Sequence, residues 1–172
     1  MLGFPGPARE SRDLPVLQIV SAAVRGTGGR WFEELRGRRA LAYSLSAFPV
    51  ARCQAGAFVA YIATSPDREE EARVGVLAQF DLLVREGLST TEIEQARSYA
   101  TGTWRLRHQT NSAQLDTVAE GMLLGRGPGE LHEHETSLRS VMPERIREVA
   151  AHYFHPGRLV TAILRGTDAR LP

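Results

Sequence analysis

The sequence predicts an α+β domain, a two-layer sandwich in which helices pack on one face of a mostly antiparallel sheet. Three observations carry this. Two stretches, "AYSLSAFPV" and "AGAFVAYIAT", alternate at period two, with the six residues "VARCQA" between their cores, the pattern of an antiparallel hairpin. From residue 65 to 154 one helix signal follows another. The first and last ordered stretches, "LGFPGP" and "GRLVTAILRG", have the composition of strands.

Each element follows in order. "LGFPGP" is the tail of a strand running into a turn, which points to a natural chain extending upstream of Met1. Asp13 is placed to cap the next helix, with Pro15 in its first turn. Leu17, Val20, Ala23 and Val24 recur at helical spacing until Gly26, where the glycine-rich loop "RGTGG" begins. "RWFEELRGRR" predicts a second short helix, with Trp31, Phe32 and Leu35 spaced for burial and Gly37 releasing the chain. In the strand that follows, Tyr43, Leu45 and Ala47 share one face, and Ser44, Ser46 and Phe48 the other. Ser65 is placed to cap a long helix whose first turn holds Pro66 and an acidic run from Asp67 to Glu71, and Gly87 ends it. Ser89 and Glu92 form a capping box. Further helices are expected over roughly 111–125, 129–140 and 143–154.

No linker or repeat divides the chain, so residues 1–172 form a single domain. Net charge is +1, which offers no bulk field for nucleic acid or an anionic membrane. All 21 basic residues are arginine. The one cysteine, Cys53, allows no intrachain disulfide and leaves the compartment open between bacterial cytoplasm and periplasm. No apolar run reaches the ~18 residues of a membrane-spanning helix.

Side-chain chemistry is sparse. The histidines are His108, His132, His134, His152 and His155, and neither H-E-x-x-H nor H-x-x-E-H occurs. "HEHE" places His132 and His134 on diverging helix faces, a solvated pattern. His152 and His155 fall near a helix C-terminus, where a cation suits the dipole. There is no G-x-S-x-G elbow and no phosphate-binding loop, and no metal is expected in this chain.

The remaining signal is "FEELRGRRALAYSLSAF", where Arg36, Arg38 and Arg39 run directly into the strand that Tyr43 opens. Two readings stand at this point. Arg36 neutralises a helix C-terminus while Tyr43 is a half-buried strand aromatic, or the two converge at a helix-to-strand corner to hold a peptide carbonyl.

"LGFPGP", "DLPVLQIVSAAVRGTGGRWFEELRGRRALAYSLSA", "GAFVAYIATSPD" and "EGLSTTEIEQARSYATGTW", in this order and separation, resemble the C-terminal domain of the pitrilysin/insulinase family of zinc metallopeptidases. That family includes mitochondrial processing peptidase and bacterial zinc proteases similar to it. The resemblance implies a clamshell of two halves, with H-x-x-E-H in one half. The facing half supplies an Arg/Tyr pair that holds substrate backbone near the zinc. Arg36 and Tyr43 match that pair, and Gly26, Gly28 and Gly29 match a glycine-rich loop implicated in substrate handling. The resemblance further implies that zinc and catalysis reside in a partner domain or subunit, as a homo- or heterodimer or in a longer chain of which this is a piece. It also implies an apolar surface where the sister domain packs. A non-catalytic scaffold subunit of a processing-peptidase-like complex is the alternative it allows.

Overall fold

The computed structural model describes residues 1–25, 28–124 and 127–166. Four strands, β1 (Leu2–Gly6), β2 (Ser44–Ala51), β3 (Gly56–Ala63) and β4 (Val160–Thr161), form an antiparallel sheet in the order β2-β3-β1-β4. The predicted antiparallel hairpin is present, with Ser44 facing Ala63 and Ala51 facing Gly56. The helices are α1 (Leu14–Val24), α2 (Glu69–Glu86), α3 (Thr90–Arg107), α4 (Asn111–Leu123), α5 (Glu130–Arg139) and α6 (Pro143–Tyr153). A π-helical segment, Phe32–Arg38, lies between α1 and β2.

Alternation in the strands turns Leu2, Phe4, Ala47, Phe58 and Ala60 into the core, all buried beneath the helices. At its centre is Phe80 of α2. Its ring centroid lies 4.9 Å from Phe4, 4.9 Å from Trp31, 4.8 Å from Phe154 and 6.1 Å from Phe58, each contact edge-on. One side chain thus joins two strands, the π-helical segment and the end of α6. The edge strand is anchored separately, because the buried Ser21 hydroxyl on α1 donates to the Ala47 carbonyl at 2.7 Å.

The predicted capping box is present at α3: Ser89 Oγ accepts from the Glu92 amide, and Glu92 accepts from the Ser89 amide at 2.8 Å. The same carboxylate takes both arms of Arg30, at 2.7 and 2.8 Å, while Arg30 Nη1 donates to the Gly87 carbonyl. Gly87 ends α2 at φ 71°, a conformation that favours glycine.

Four local expectations are corrected. Asp13 does not cap α1; its backbone is helical rather than extended, and its carboxylate turns to α6, accepting from Arg145 at 2.6 Å and the Tyr153 hydroxyl at 3.1 Å. Ser65 precedes a short 3-10 turn, Pro66–Arg68, with no side-chain cap, and α2 starts at Glu69. Gly37 lies inside the π-helical segment, and the reversal falls at Ala40, with φ 48°. The final strand is only Val160–Thr161, because β1 offers it just Gly3 and Leu2 as ladder partners.

Two measurements follow. Phe80→Ala should destabilise the domain by about 3–5 kcal/mol, and Phe80→Leu by far less, in urea denaturation. Glu92 supplies a pH dependence. Its burial is the largest influence and pushes its pKa upward, yet the hydrogen bonds from Arg30 and Ser89 outweigh burial and hold the carboxyl below its ordinary 4.5. A carboxyl depressed by folding contributes stability that is present above its unfolded pKa and is lost as pH falls through the folded value. The urea midpoint should therefore drop on acidification below about pH 4.5, and Glu92→Gln should flatten that drop while lowering the midpoint at neutral pH.

Candidate functional site

The corner between the π-helical segment and β2 is built from both ends. Trp31 and Leu35 are fully buried and fix the segment to the core. Arg39 N–H donates to the Glu34 carbonyl five residues back, and Leu41 N–H to the Leu35 carbonyl. Ala40 then takes a left-handed backbone, which costs an L-residue roughly 1–2 kcal/mol. Burial of Leu41 and Ala42 directly after it helps to hold that conformation. So does Arg68, which donates to the Ala40 carbonyl at 3.0 Å and the Arg39 carbonyl at 3.1 Å. Glu71 takes Arg68 at 2.8 Å and Arg39 at 3.2 Å, and both arginines together hold its carboxyl below its usual range. Beneath the corner, α2 approaches closely at Gly75, where a Cβ would lie 2.9 Å from Leu35 Cδ2 and 3.2 Å from Arg39 Nη1.

Arg36 and Tyr43 sit at the two ends of this clamped turn. Arg36 is exposed, its guanidinium 5.0 Å from the Phe32 ring centroid, rather than turned toward the buried side of the helix end. Arg38 pairs with Glu34 and Arg39 with Glu71, whereas Arg36 has no carboxylate partner among the described residues. Tyr43 is 84% exposed, so it is not a half-buried strand aromatic. It stands one residue ahead of β2, and its amide donates to the Ala63 carbonyl at 2.8 Å. Both polar groups therefore face solvent from a backbone that packing and ion pairs hold in place.

The glycine-rich loop stands apart from this pair. Gly26 lies outside the described residues. Neither Gly28 nor Gly29 has positive φ; Gly29 is required by close approach, since a Cβ there would collide with the Arg25 carbonyl oxygen. The two glycines line a groove of about 460 Å3 between α1 and α3, with Arg25, Arg30, Glu92 and Tyr99. Neither Arg36 nor Tyr43 lines that groove.

Sequence reasoning missed two clusters. The Arg68–Glu71 clamp joins residues about thirty positions beyond the corner, and no local pattern marks it. The Trp104 ring contacts both His108 and His134, with centroids 3.8 and 3.9 Å away, so His134 is packed on an aromatic rather than solvated. His108 Nε2 meets Thr117 Oγ1 and its Nδ1 meets the Trp104 carbonyl, both at 2.8 Å. The spacing of Trp104 and His108, one helical turn, was legible; the approach of His134 was not. Among the described residues no three His, Cys, Asp or Glu side chains gather as metal ligands.

Comparison with known proteins bears on the fold and the family. A zinc protease of Streptomyces coelicolor, itself uncharacterized, is 24% identical over 151 residues, which cover 87% of this chain and 33% of that protein. This chain thus spans about a third of its curated relative. The inactive peptidase domain attributed to a zinc protease of Bordetella parapertussis superposes with a TM-score of 0.83 at 18% identity, covering 99% of this chain and 93% of that one. A protease from Helicobacter pylori gives 0.81 at 17%, over 92% of this chain and 38% of that one. The peptidase M16 inactive domain from Pseudomonas fluorescens gives 0.78 at 15%, over 92% and 38%. These likenesses establish the α+β fold. The model of the Peptidase M16 inactive domain matches residues 1–99, a span that holds the glycine-rich loop, the clamped corner and the first three strands, and the chain belongs to that family.

Proposed function

We propose that this domain binds peptide substrate for a zinc metallopeptidase, with Arg36 and Tyr43 holding the substrate backbone near a zinc site carried by another domain or subunit. The observation that carries this reading is the state of the corner. Of its three arginines, Arg36 is the one without a carboxylate partner among the described residues, and it shares the clamped turn with the exposed phenol of Tyr43. A guanidinium and a phenol supply hydrogen-bond donors suited to a peptide carbonyl and to the negative charge that builds on it during hydrolysis.

The chemistry divides between two bodies. H-x-x-E-H is absent from these 172 residues, so zinc, the water it activates and the general base belong to the partner. What this chain contributes is position. The Arg68–Glu71 clamp and the burial of Leu35 and Leu41 fix the turn before substrate arrives, so little ordering is left to do on binding. Placing the donors on a separate half makes their action depend on closure of the two halves around the peptide. The glycine-lined groove is a second surface along which an extended substrate is handled.

The test is peptide cleavage with zinc by the longer zinc-bearing chain, or by this domain assembled with a zinc-bearing partner. Arg36→Ala and Tyr43→Phe should each lower kcat/KM by about 100–1,000-fold, the range for loss of one oxyanion donor, with folding and zinc content unchanged. Arg68→Ala should give a smaller loss that appears mainly in KM, since it loosens the corner without removing a donor. Cleavage unaltered by both Arg36→Ala and Tyr43→Phe would remove the substrate-holding role and leave a scaffold.

A further inference from the structure

The three arginines of the corner are oriented by two kinds of contact. Arg38 donates to Glu34 at 3.2 Å, and Arg39 donates to Glu71 at 3.2 Å. Each of these contacts occupies N–H donors and offsets positive charge. Arg36 is oriented differently. Its guanidinium lies 5.0 Å from the Phe32 ring centroid, inside the ~6 Å reach of a cation–π contact. The two carboxylates just before it are directed elsewhere. Glu34 takes Arg38, and Glu33 lines the groove between α1 and α3, which Arg36 does not line.

The difference matters chemically. A carboxylate is met by the planar N–H fork of arginine, whereas an aromatic face attracts the cation as a whole. A ring can therefore restrain a guanidinium without matching its donors to acceptors and without a neutralising charge. This ring is itself held. Phe32 is half-buried and follows Trp31, which is fully buried and packs on Phe80. Leu35, on the other side of the contact, is fully buried too. Phe32 and Arg36 are four residues apart in one helical segment, a spacing that brings side chains together on its surface. A long exposed arginine loses much rotamer freedom when it binds, and one already restrained loses less.

We propose that Phe32 is the positioning residue for Arg36: its ring restrains the guanidinium at the clamped corner through the cation–π contact, leaving charge and N–H donors available to a peptide. The inference rests on the substrate-holding role given to Arg36 and concerns how that side chain is prepared for it. It also explains why one arginine of the three lies against an aromatic. A carboxylate at that place would orient Arg36 equally well but would take the donors that the role requires.

The experiment replaces Phe32 in turn by mono-, di- and trifluorophenylalanine, in the longer zinc-bearing chain or in this domain assembled with a zinc-bearing partner. Fluorine withdraws negative charge from the ring face stepwise while nearly keeping the shape of the ring. Across the series kcat/KM for peptide cleavage should fall in steps, by about two- to fivefold in all, the worth of an exposed cation–π contact. With Arg36→Ala in the background the series should be flat, because the ring acts through the guanidinium. A flat series with Arg36 present, the result for a ring that only packs, would overturn the proposal. So would an equal slope in the Arg36→Ala background, which would mean that the ring meets substrate itself. A second readout needs no cleavage. In this chain alone, nitrogen relaxation at Arg36 Nε should give an order parameter that falls across the series, and a constant value would overturn the contact. A falling order parameter together with cleavage untouched by Arg36→Ala would sink the substrate-holding reading, and the positioning role with it, while leaving Phe32 as the restraint on that side chain.

Discussion

Everything else in the domain is arranged around the ring of Phe80. It contacts both inner strands, through Phe4 and Phe58, and also Trp31 and Phe154. These contacts tie together segments more than a hundred residues apart. Edge-on stacking gives the cluster a geometry as well as an area, since each ring fixes the tilt of the next. The consequence for the functional surface is direct. Trp31 stands at the start of the segment that carries Arg36, so aromatic packing anchors the backbone of that segment to the core.

Those ion pairs have a different task. An exposed pair adds little because solvent screens it, and the pairs of Arg73 with Glu70 and Arg85 with Asp81 need no larger role. Arg68 differs because two of its donors go to main-chain carbonyls at the left-handed turn. It stabilises a backbone conformation that alanine alone would avoid. The cost of the Ala40 conformation is local, and the contacts that offset it come from Arg68 in the short turn before α2 and from Glu71 and Gly75 in its first two turns. This is how a corner can be rigid while the side chains at its ends remain free to meet a ligand.

Much of this was legible in the sequence, and the failures share a cause. Period-two alternation marks the hairpin, and the Ser89–Glu92 box and Gly87 are legible because caps are local in sequence. The family and the corner were likewise visible in "RWFEELRGRRALAYS". Asp13 was misread because it chose a partner 132 residues away, Arg145, over the nearby backbone amides that a cap would use. His134 was assigned to solvent because nothing near it announces Trp104 on another helix. Gly37 drew attention as a helix breaker, yet the turn was made at an alanine, where the surrounding contacts overrode intrinsic preference. Pattern reading succeeds where the determining interaction lies within a turn or a strand pair, and fails where it crosses the core.

The edge of the sheet narrows what this domain can do with a peptide. Extended peptides often bind by adding a strand to an exposed edge, where main-chain hydrogen bonds supply the affinity. β2 is such an edge, but Pro49 has no N–H to give and the Ala47 carbonyl already accepts from Ser21. Continuous strand addition across these residues would leave backbone groups of the incoming peptide without partners, at a cost of about 1–3 kcal/mol for each one buried. The start of the strand is less obstructed, and there the available donors are side chains. Tyr43 stands directly ahead of β2, and Arg36 precedes it across the clamped turn. In the proposed role, contact through a few side-chain donors, rather than through a paired strand, would hold a peptide without demanding a sequence.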